Sequence, residues 1–566
     1  MKKVRKVGRR MKKMKRIIAI LIMLALCFTI VACSSTEDGG TTTSTGGTGG
    51  TTGGTGSTGG GTAGAEGTQG GNVLTPGEVI EAPEEEDVQY AELIDIILQS
   101  NFTVIDPLNP GATNPGYRMI YICIFDRLVY RTNEGNFEGE LATHWDTTDS
   151  QNFTFYLREG VTFHNGDPFN AQTVVDTVAT AKENPGTLAF DAWRSVDTIS
   201  VVNDYTVQIT LSAVNADFIF QMSIPGASII NRAAREADSV EGAWVGTGAY
   251  KVESFAPGDN ALLTRFDNYW KGPALTKQLI FRFIPEFGTR AVYLQTGQSH
   301  ICTGLSTEDI DLFVDDAGYI VYRIPSDPHP VAFNMNDPIT GDLNFRLAVA
   351  HALDMEEITL VAAGNYGSVS VDGAFWGYST EFRNTDIPLI QYDLDLARDY
   401  LAASSYRGED IEIMTGVETT QRAAEIIQDQ LKKIDINIVL FHTDSPTLSA
   451  TAVYGSDRTQ LVSHPSPFSL SAASARPMFY PGGASNRASY NNPRVTELFD
   501  RAPTVSDLAE REAIYKEIQA LIAQDLPYIN IFYRVQAIVT TSNIGGIITN
   551  ADQNHDLRGI FMIEDA

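Results

Sequence analysis

The chain has 566 residues, 41 of them Lys or Arg and 70 Asp or Glu, giving a formal net charge of −29 with 43% hydrophobic residues. So acidic a balance excludes a nucleic-acid binder, whose affinity for phosphates rests on basic side chains. It suits a secreted, soluble body and by itself names no ligand.

The first 32 residues carry ten Lys and Arg and no acidic residue, and an apolar run of 16 residues, Ile17 to Ala32, follows the basic stretch. That run is short for a membrane-spanning helix, which needs about 20 residues, and it fits the core of a signal peptide. It ends Ile30-Val31-Ala32-Cys33, which resembles the bacterial lipobox. On that reading the chain is cleaved before Cys33, which is then acylated and anchors the protein to the membrane. An ordinary signal peptide or an uncleaved anchor is the alternative.

Ser34 to Asn72 is almost entirely Gly, Thr and Ser, a composition with nothing to bury. About 40 such residues span on the order of 35 Å as a coil, enough for a tether. An acidic piece, Glu78 to Asp87, separates it from the body. The leader holds ten of the 41 basic residues, so the remainder keeps 31 against 70 acidic ones. From Val88 onward roughly 480 residues remain, too many for one core, so more than one lobe is expected.

Ile105-Asp106-Pro107 reads as a polar loop, and Met119 to Val129 as an apolar, helix-like run. The most legible stretch is Leu141 to Val178. Phe153, Phe155 and Leu157 alternate with Thr154, Tyr156 and Arg158, the two-residue period of a half-buried strand. Asn165-Gly166 supplies a tight turn. Asn170 is a candidate N-cap ahead of Val174, Val175 and Val178 at helical spacing.

As a specific string, Leu141, Ala142, Trp145, Phe153 to Phe155, Leu157, Arg158, Gly160, Val161, Phe163, His164, Gly166, Pro168 and Ala171 resemble family 5 of the extracytoplasmic solute-binding proteins. These are the peptide- and nickel-type receptors of ABC importers. The resemblance implies an α/β, two-lobed periplasmic-binding-protein-like fold (type II, cluster C) with an additional domain on the first lobe. It also implies that the 105–107 loop approaches the ligand, which makes Asn114 and Tyr117 candidates.

Tyr205 to Leu211 is a second alternating strand. Val245-Gly246-Thr247-Gly248-Ala249-Tyr250 and Asn268-Tyr269-Trp270 resemble further family landmarks, the first with Ala249 in place of Pro. The glycines are expected to allow a tight crossing between lobes. A phosphate loop is excluded, because no G-x-x-x-x-G-K-[ST] is present. Phe333-Asn334 through Asp354 reads as strand, loop and helix, with Arg346, Ala350 and Asp354 on one helix face where Arg and Asp could pair. Helices over Asp393 to Leu401 and Glu425 to Ile434, and a strand over Ile436 to Phe441, follow. Leu526 to Tyr533 reads as a strand returning to the first lobe.

The last third departs from the family. Peptide-binding members carry W-x-x-D-x-x-D-P here, with an Asp that holds the peptide's ammonium group. This chain has Leu461-Val462-Ser463-His464-Pro465-Ser466-Pro467-Phe468. Ser463, His464 and Ser466 can hydrogen-bond but supply no fixed negative charge. The pocket is therefore expected not to capture a free amino terminus. His464 is also a conceivable metal ligand. Arg476 can clamp a carboxylate bidentately or simply be solvated. Trp376, beside Phe375, suits either a stacking wall for a ligand, a sugar included, or core packing.

The expected organisation is a signal peptide over 1–32, a tether over 33–77, lobe I in three parts (88–130, 245–328 and 528–566), the additional domain over 131–244, and lobe II over 329–527. Capture of a peptide or peptide-like solute by lobe closure, and delivery to an ABC permease complex, is the expected function. A monomer on the outer face of the cell membrane is expected, and no cofactor is called for. A non-peptide solute such as an oligosaccharide or metal chelate, or sensing without transport, are the alternatives. A hydrolase is disfavoured: G-x-S-x-G and H-E-x-x-H are absent and the eight His are scattered. Cys123 and Cys302 can form a disulfide or remain buried thiols.

Overall fold

The computed structural model describes residues 73–563 apart from 75–77, 84–89, 101, 110–114, 133–134, 365–366, 371, 379, 458, 467–470 and 551–554. The signal peptide, the lipidation site Cys33, the tether up to Asn72, Asn114 and Pro467 therefore lie outside the described residues; Val73–Leu74, inside the expected tether, pairs with Val321–Tyr322 as a strand. Contacts gather 67–566 into one unit.

Its spine is a sheet of twelve strands among the described residues. At one end Leu93–Leu98, sequence LIDIIL, runs parallel to both Gln278–Phe283 and Ile301–Thr303. Such continuous apolar strands belong in a sheet covered on both faces. At the other end Asp410–Thr415 is parallel to Asn437–His442 and to Leu461–Ser463. Two long antiparallel strands, Tyr319–Phe333 and Tyr528–Thr541, carry the sheet from the first end to the second. Each end has its own helices and its own hydrophobic core, so the body is two-lobed. The return strand expected from Leu526 is present and longer than anticipated. Its partner was missed upstream of Phe333 because Pro325, Pro328 and Pro330 argue against a strand interior. The ladder absorbs these residues by register shifts between Pro325 and Pro328 and between His329 and Pro330.

The additional domain is a separate antiparallel sheet ordered Ala142–Thr147, Asn152–Leu157, Thr206–Leu211, Val196–Asn203. Phe153, Phe155 and Leu157 are buried on one face as their alternation requires. Gly166 closes the turn at φ +91°. Asn170 caps the helix Ala171–Lys182 by accepting from the Gln172 and Thr173 amides. A buried ionic cluster ties this sheet to the first lobe. Arg127 Nε donates to Glu140 at 3.0 Å, and Arg558 Nη1 donates to Asp126 at 3.0 Å and to Glu140 at 2.5 Å. Burial alone would raise the Glu140 carboxyl, but Arg127 and Arg558 hold it down to about 2.

Three local expectations change. The 119–129 run is helical only within Pro115–Ile124 and then turns into the strand Val129–Arg131. A Cβ on Gly246 or Gly248 would meet the Ile124 or Cys123 carbonyl at 2.1 or 2.5 Å. The glycines thus admit the end of that helix, not a crossing between lobes. Arg346 and Asp354 do not pair, because the helix Leu343–Ala352 stops first. Asp354 caps the next helix, and Arg346 donates to the Thr340 and Asp525 carbonyls. Cys123 and Cys302 are free and buried in separate cores.

Candidate functional site

A cavity of about 480 Å³ opens where the two lobes meet beside the crossing strands, within the size range of small-molecule sites. The first lobe supplies Gln99 and Ser100, where Leu93–Leu98 ends, and Gly304 after Ile301–Thr303. Gly304 sits at φ +68° with Gln99 so close that a Cβ would lie 2.3 Å from its side-chain oxygen. The left-handed backbone and the close approach of Gln99 both favour glycine there. The second lobe supplies Ala362 and Ala363 from the helix Met355–Ala363, with Glu418 and Arg422 from the helix Glu418–Lys432. Arg534 to Ile538 of the returning strand also line the cavity. Ligands in such sheets gather at the carboxyl ends of strands, and Leu93–Leu98, Ile301–Thr303 and Asp410–Thr415 all end toward this region.

Glu308 and Glu418, the carboxylates among the described residues that line the cavity, share one partner. Arg422 lies 2.5 Å from Glu418 on its own helix and 3.9 Å from Glu308 on the opposite lobe. His555 accepts the Asn550 amide at 3.1 Å, and burial pushes its imidazole down to about 4.

The candidate residues fall into separate places. Tyr117 is on the helix Pro115–Ile124, whose Gly116 and Met119 line the cavity; its side chain is outside the described residues. Ser463, His464 and Ser466 lie together beside the second-lobe end of the crossing strands. Ser463 pairs with Val331 and Thr415, and the Ser466 amide donates to the Pro328 carbonyl at 3.0 Å. His464 Nδ1 sits 2.8 Å from the Pro465 carbonyl. A carbonyl can only accept, so Nδ1 carries the proton. Nε2 is buried without a hydrogen-bond partner.

Trp376 is fully buried in the second lobe, where its ring packs against Tyr515 and its Nε1 donates to the Glu381 carbonyl at 3.1 Å. Arg476 is half-exposed, pairs with Asp500 at 2.6 Å and covers the Tyr480 ring. Neither lines the cavity.

Three basic residues escaped the sequence reading. His329 lies in the crossing strand opposite Phe532, is 3% exposed, and has both ring nitrogens without a hydrogen-bond partner. Burial, with Arg534 and His464 close by, pushes it down to about 3. Arg487 stands near His464 and leaves a buried Nε unpartnered. Arg534 lines the cavity. A lone His between prolines carries no motif, and its neighbours come from distant segments, so only the folded chain joins them.

The family described as bacterial extracellular solute-binding proteins, family 5, matches residues 136–480. The glutathione-binding protein GsiB of Pectobacterium atrosepticum is 24% identical over 473 residues, covering 79% of this chain and 89% of that protein. The nickel-binding periplasmic protein of Escherichia coli is 22% identical over 474 residues, covering 78% and 90%. Among solved structures, the ABC transporter substrate-binding protein CtaP of Listeria monocytogenes superposes with a TM-score of 0.74 at 22% identity, over 84% of this chain and 100% of that one.

Proposed function

Because this chain belongs to family 5 of the bacterial extracellular solute-binding proteins, we propose that it captures a peptide or peptide-like small solute between its lobes and hands it to an ABC permease complex. The single observation that carries this reading is the 480 Å³ cavity, walled by both ends of one sheet and floored by the strands that join them. Two lobes joined by two strands form a hinge. A ligand that touches both walls favours the closed form by its differential affinity for it. The relatives' names, glutathione-binding and nickel-binding, support a small solute and leave its identity open.

On this reading Cys33 carries the lipid, residues 33–77 tether the body, and the receptor works as a monomer on the outer face of the membrane. Lobe I comprises 88–130, 245–328 and 528–566, the additional domain 131–244, and lobe II 329–527. The protein binds and releases; the chemistry of transport belongs to its partners.

Native mass spectrometry of the protein purified without added ligand tests the reading. A bound small molecule is expected, together with a lower radius of gyration for the loaded form by solution scattering. An empty protein that no peptide, sugar or metal chelate stabilises against heat would overturn it.

A further inference from the structure

The additional domain is fastened to the first lobe by the buried cluster of Arg127, Arg558, Asp126 and Glu140. It also touches the second lobe, at a seam formed outside the crossing strands. Ser150, at the turn between Ala142–Thr147 and Asn152–Leu157, is buried and donates its hydroxyl to Ser506 Oγ at 2.9 Å. The Ala216 amide donates to the Pro503 carbonyl at 3.1 Å. Next to it Asp217 lies 3.7 Å from Arg511, with side chains 8% and 9% exposed. Pro503 and Ser506 lie between the second-lobe helices Pro493–Arg501 and Leu508–Asp525, and Arg511 is in the latter.

Each side is built to reach across. Asp217 holds the cap position of the short helix Phe218–Gln221, yet its side chain caps nothing, where an Asp ordinarily accepts the helix's free amides. The Asp217 amide donates to Asn215 Oδ1 at 3.1 Å, and the Asn215 amide donates to the Ser150 carbonyl at 2.9 Å, so turn and loop form one unit. Opposite, the Arg511 guanidinium sits 5.5 Å from the centre of the Phe382 ring, which stacks on Tyr515.

The energetics suit a contact that opens. Asp217 Oδ1 and Arg511 Nε are buried without a hydrogen-bond partner, and 3.7 Å is beyond hydrogen-bond reach. Burial pushes the Asp217 carboxyl up, and Arg511 offsets this only in part. Two charges so loosely matched regain water when they separate, which offsets the attraction lost. Such a contact biases a two-state equilibrium without locking it.

We propose that the additional domain latches the closed receptor: the Ser150–Ser506, Ala216–Pro503 and Asp217–Arg511 contacts form when the lobes close and break when they part. The inference rests on the solute-receptor reading above and gives the additional domain its part in it. The first lobe and the additional domain move as one body through the Arg558 cluster, so the second lobe cannot swing away while the seam holds. The solute tips the balance from the cavity; the latch sets where the balance stands without it.

The test is the interlobe distance measured by pulsed electron paramagnetic resonance on the full chain in detergent. Keto-linked spin labels at Glu253 on the first lobe and Arg398 on the second, both exposed, leave every thiol untouched. Arg511→Met and Asp217→Asn are each expected to raise the population at the longer distance at least about threefold. The double variant is expected to do no more than the stronger single one, since both remove one contact. Arg494→Gln, in a surface pair within the second lobe, leaves the distances unchanged. Oxidising Ser150→Cys combined with Ser506→Cys is expected to join the two and abolish the longer distance, reversibly with reductant. That arm decides the matter if Arg511→Met fails to fold. Distances that no seam variant moves, or cysteines that never join under oxidant, overturn the latch. If a solute still copurifies in that case, the receptor reading stands. A protein whose lobes never separate, that carries no solute, and that no peptide, sugar or metal chelate stabilises against heat removes both.

Discussion

Glu308 and Arg422 face each other across the cavity at 3.9 Å, one on each lobe. The pair is solvent-exposed and Arg422 also holds Glu418, so its contribution is about 0.2–1 kcal/mol and screened by salt. Glu308→Gln is expected to weaken ligand binding by no more than about fivefold, with the difference vanishing near 1 M salt. Titrations at low and high salt read this directly; a loss that persists at high salt would mean that Glu308 touches the ligand instead.

Acid destabilises this protein through its buried histidines. Burial holds His164 and His555 down to about 4 and His329 down to about 3. The unfolded chain binds a proton at each near pH 6.5 and the native state does not, so stability rises with pH between about 4 and 6.5. Each group costs on the order of 1–2 kcal/mol at pH 5 relative to pH 8. Denaturant titrations at both pH values measure the sum, and His164→Gln is expected to remove part of the slope.

The cluster at Arg558 is a structural keystone. Arg558→Met leaves Asp126, Glu140 and Asp556, all buried, short of their shared cation. Breaking a buried pair by removing one partner costs about 3–5 kcal/mol. A drop of that size in the free energy of unfolding is expected, with the additional domain loosening first in hydrogen exchange.

Trp376→Ala is expected to act on stability, by about 3–5 kcal/mol as for other buried aromatic truncations, because its ring is fully enclosed. A variant with wild-type stability and lost affinity would return Trp376 to the binding surface.

Cys123 and Cys302 stay reduced. Both are free and buried, and burial pushes the Cys302 thiol up to about 12. Alkylation of Cys123 and Cys302 is expected only after denaturation, and at both whether or not reductant is added. Labelling that requires reductant would establish a disulfide.

Local structure was legible wherever periodicity and caps agreed. The Phe153–Leu157 alternation, the Asn170 cap, the helix expected from Asp393 and the returning strand follow from side-chain spacing and backbone preference. The partner crossing strand was illegible because three prolines contradict a strand interior, and only pairing to Tyr528–Thr541 along its length holds it extended. Ser463, His464 and Ser466 were found through a motif, whereas His329, Arg487 and Arg534 have none.

By itself the sequence carried the family resemblance, which implied the two-lobed α/β plan, and the absence of an Asp in the 461–468 segment, because the landmarks are local strings. Tertiary structure alone decided that Trp376 and Arg476 stand away from the cavity. It alone brought His329 and His464, 135 positions apart in the chain, against two arginines. The reason is physical: which side chains meet in space is set by strand pairing between segments remote in the chain, as between Tyr319–Phe333 and Leu461–Ser463.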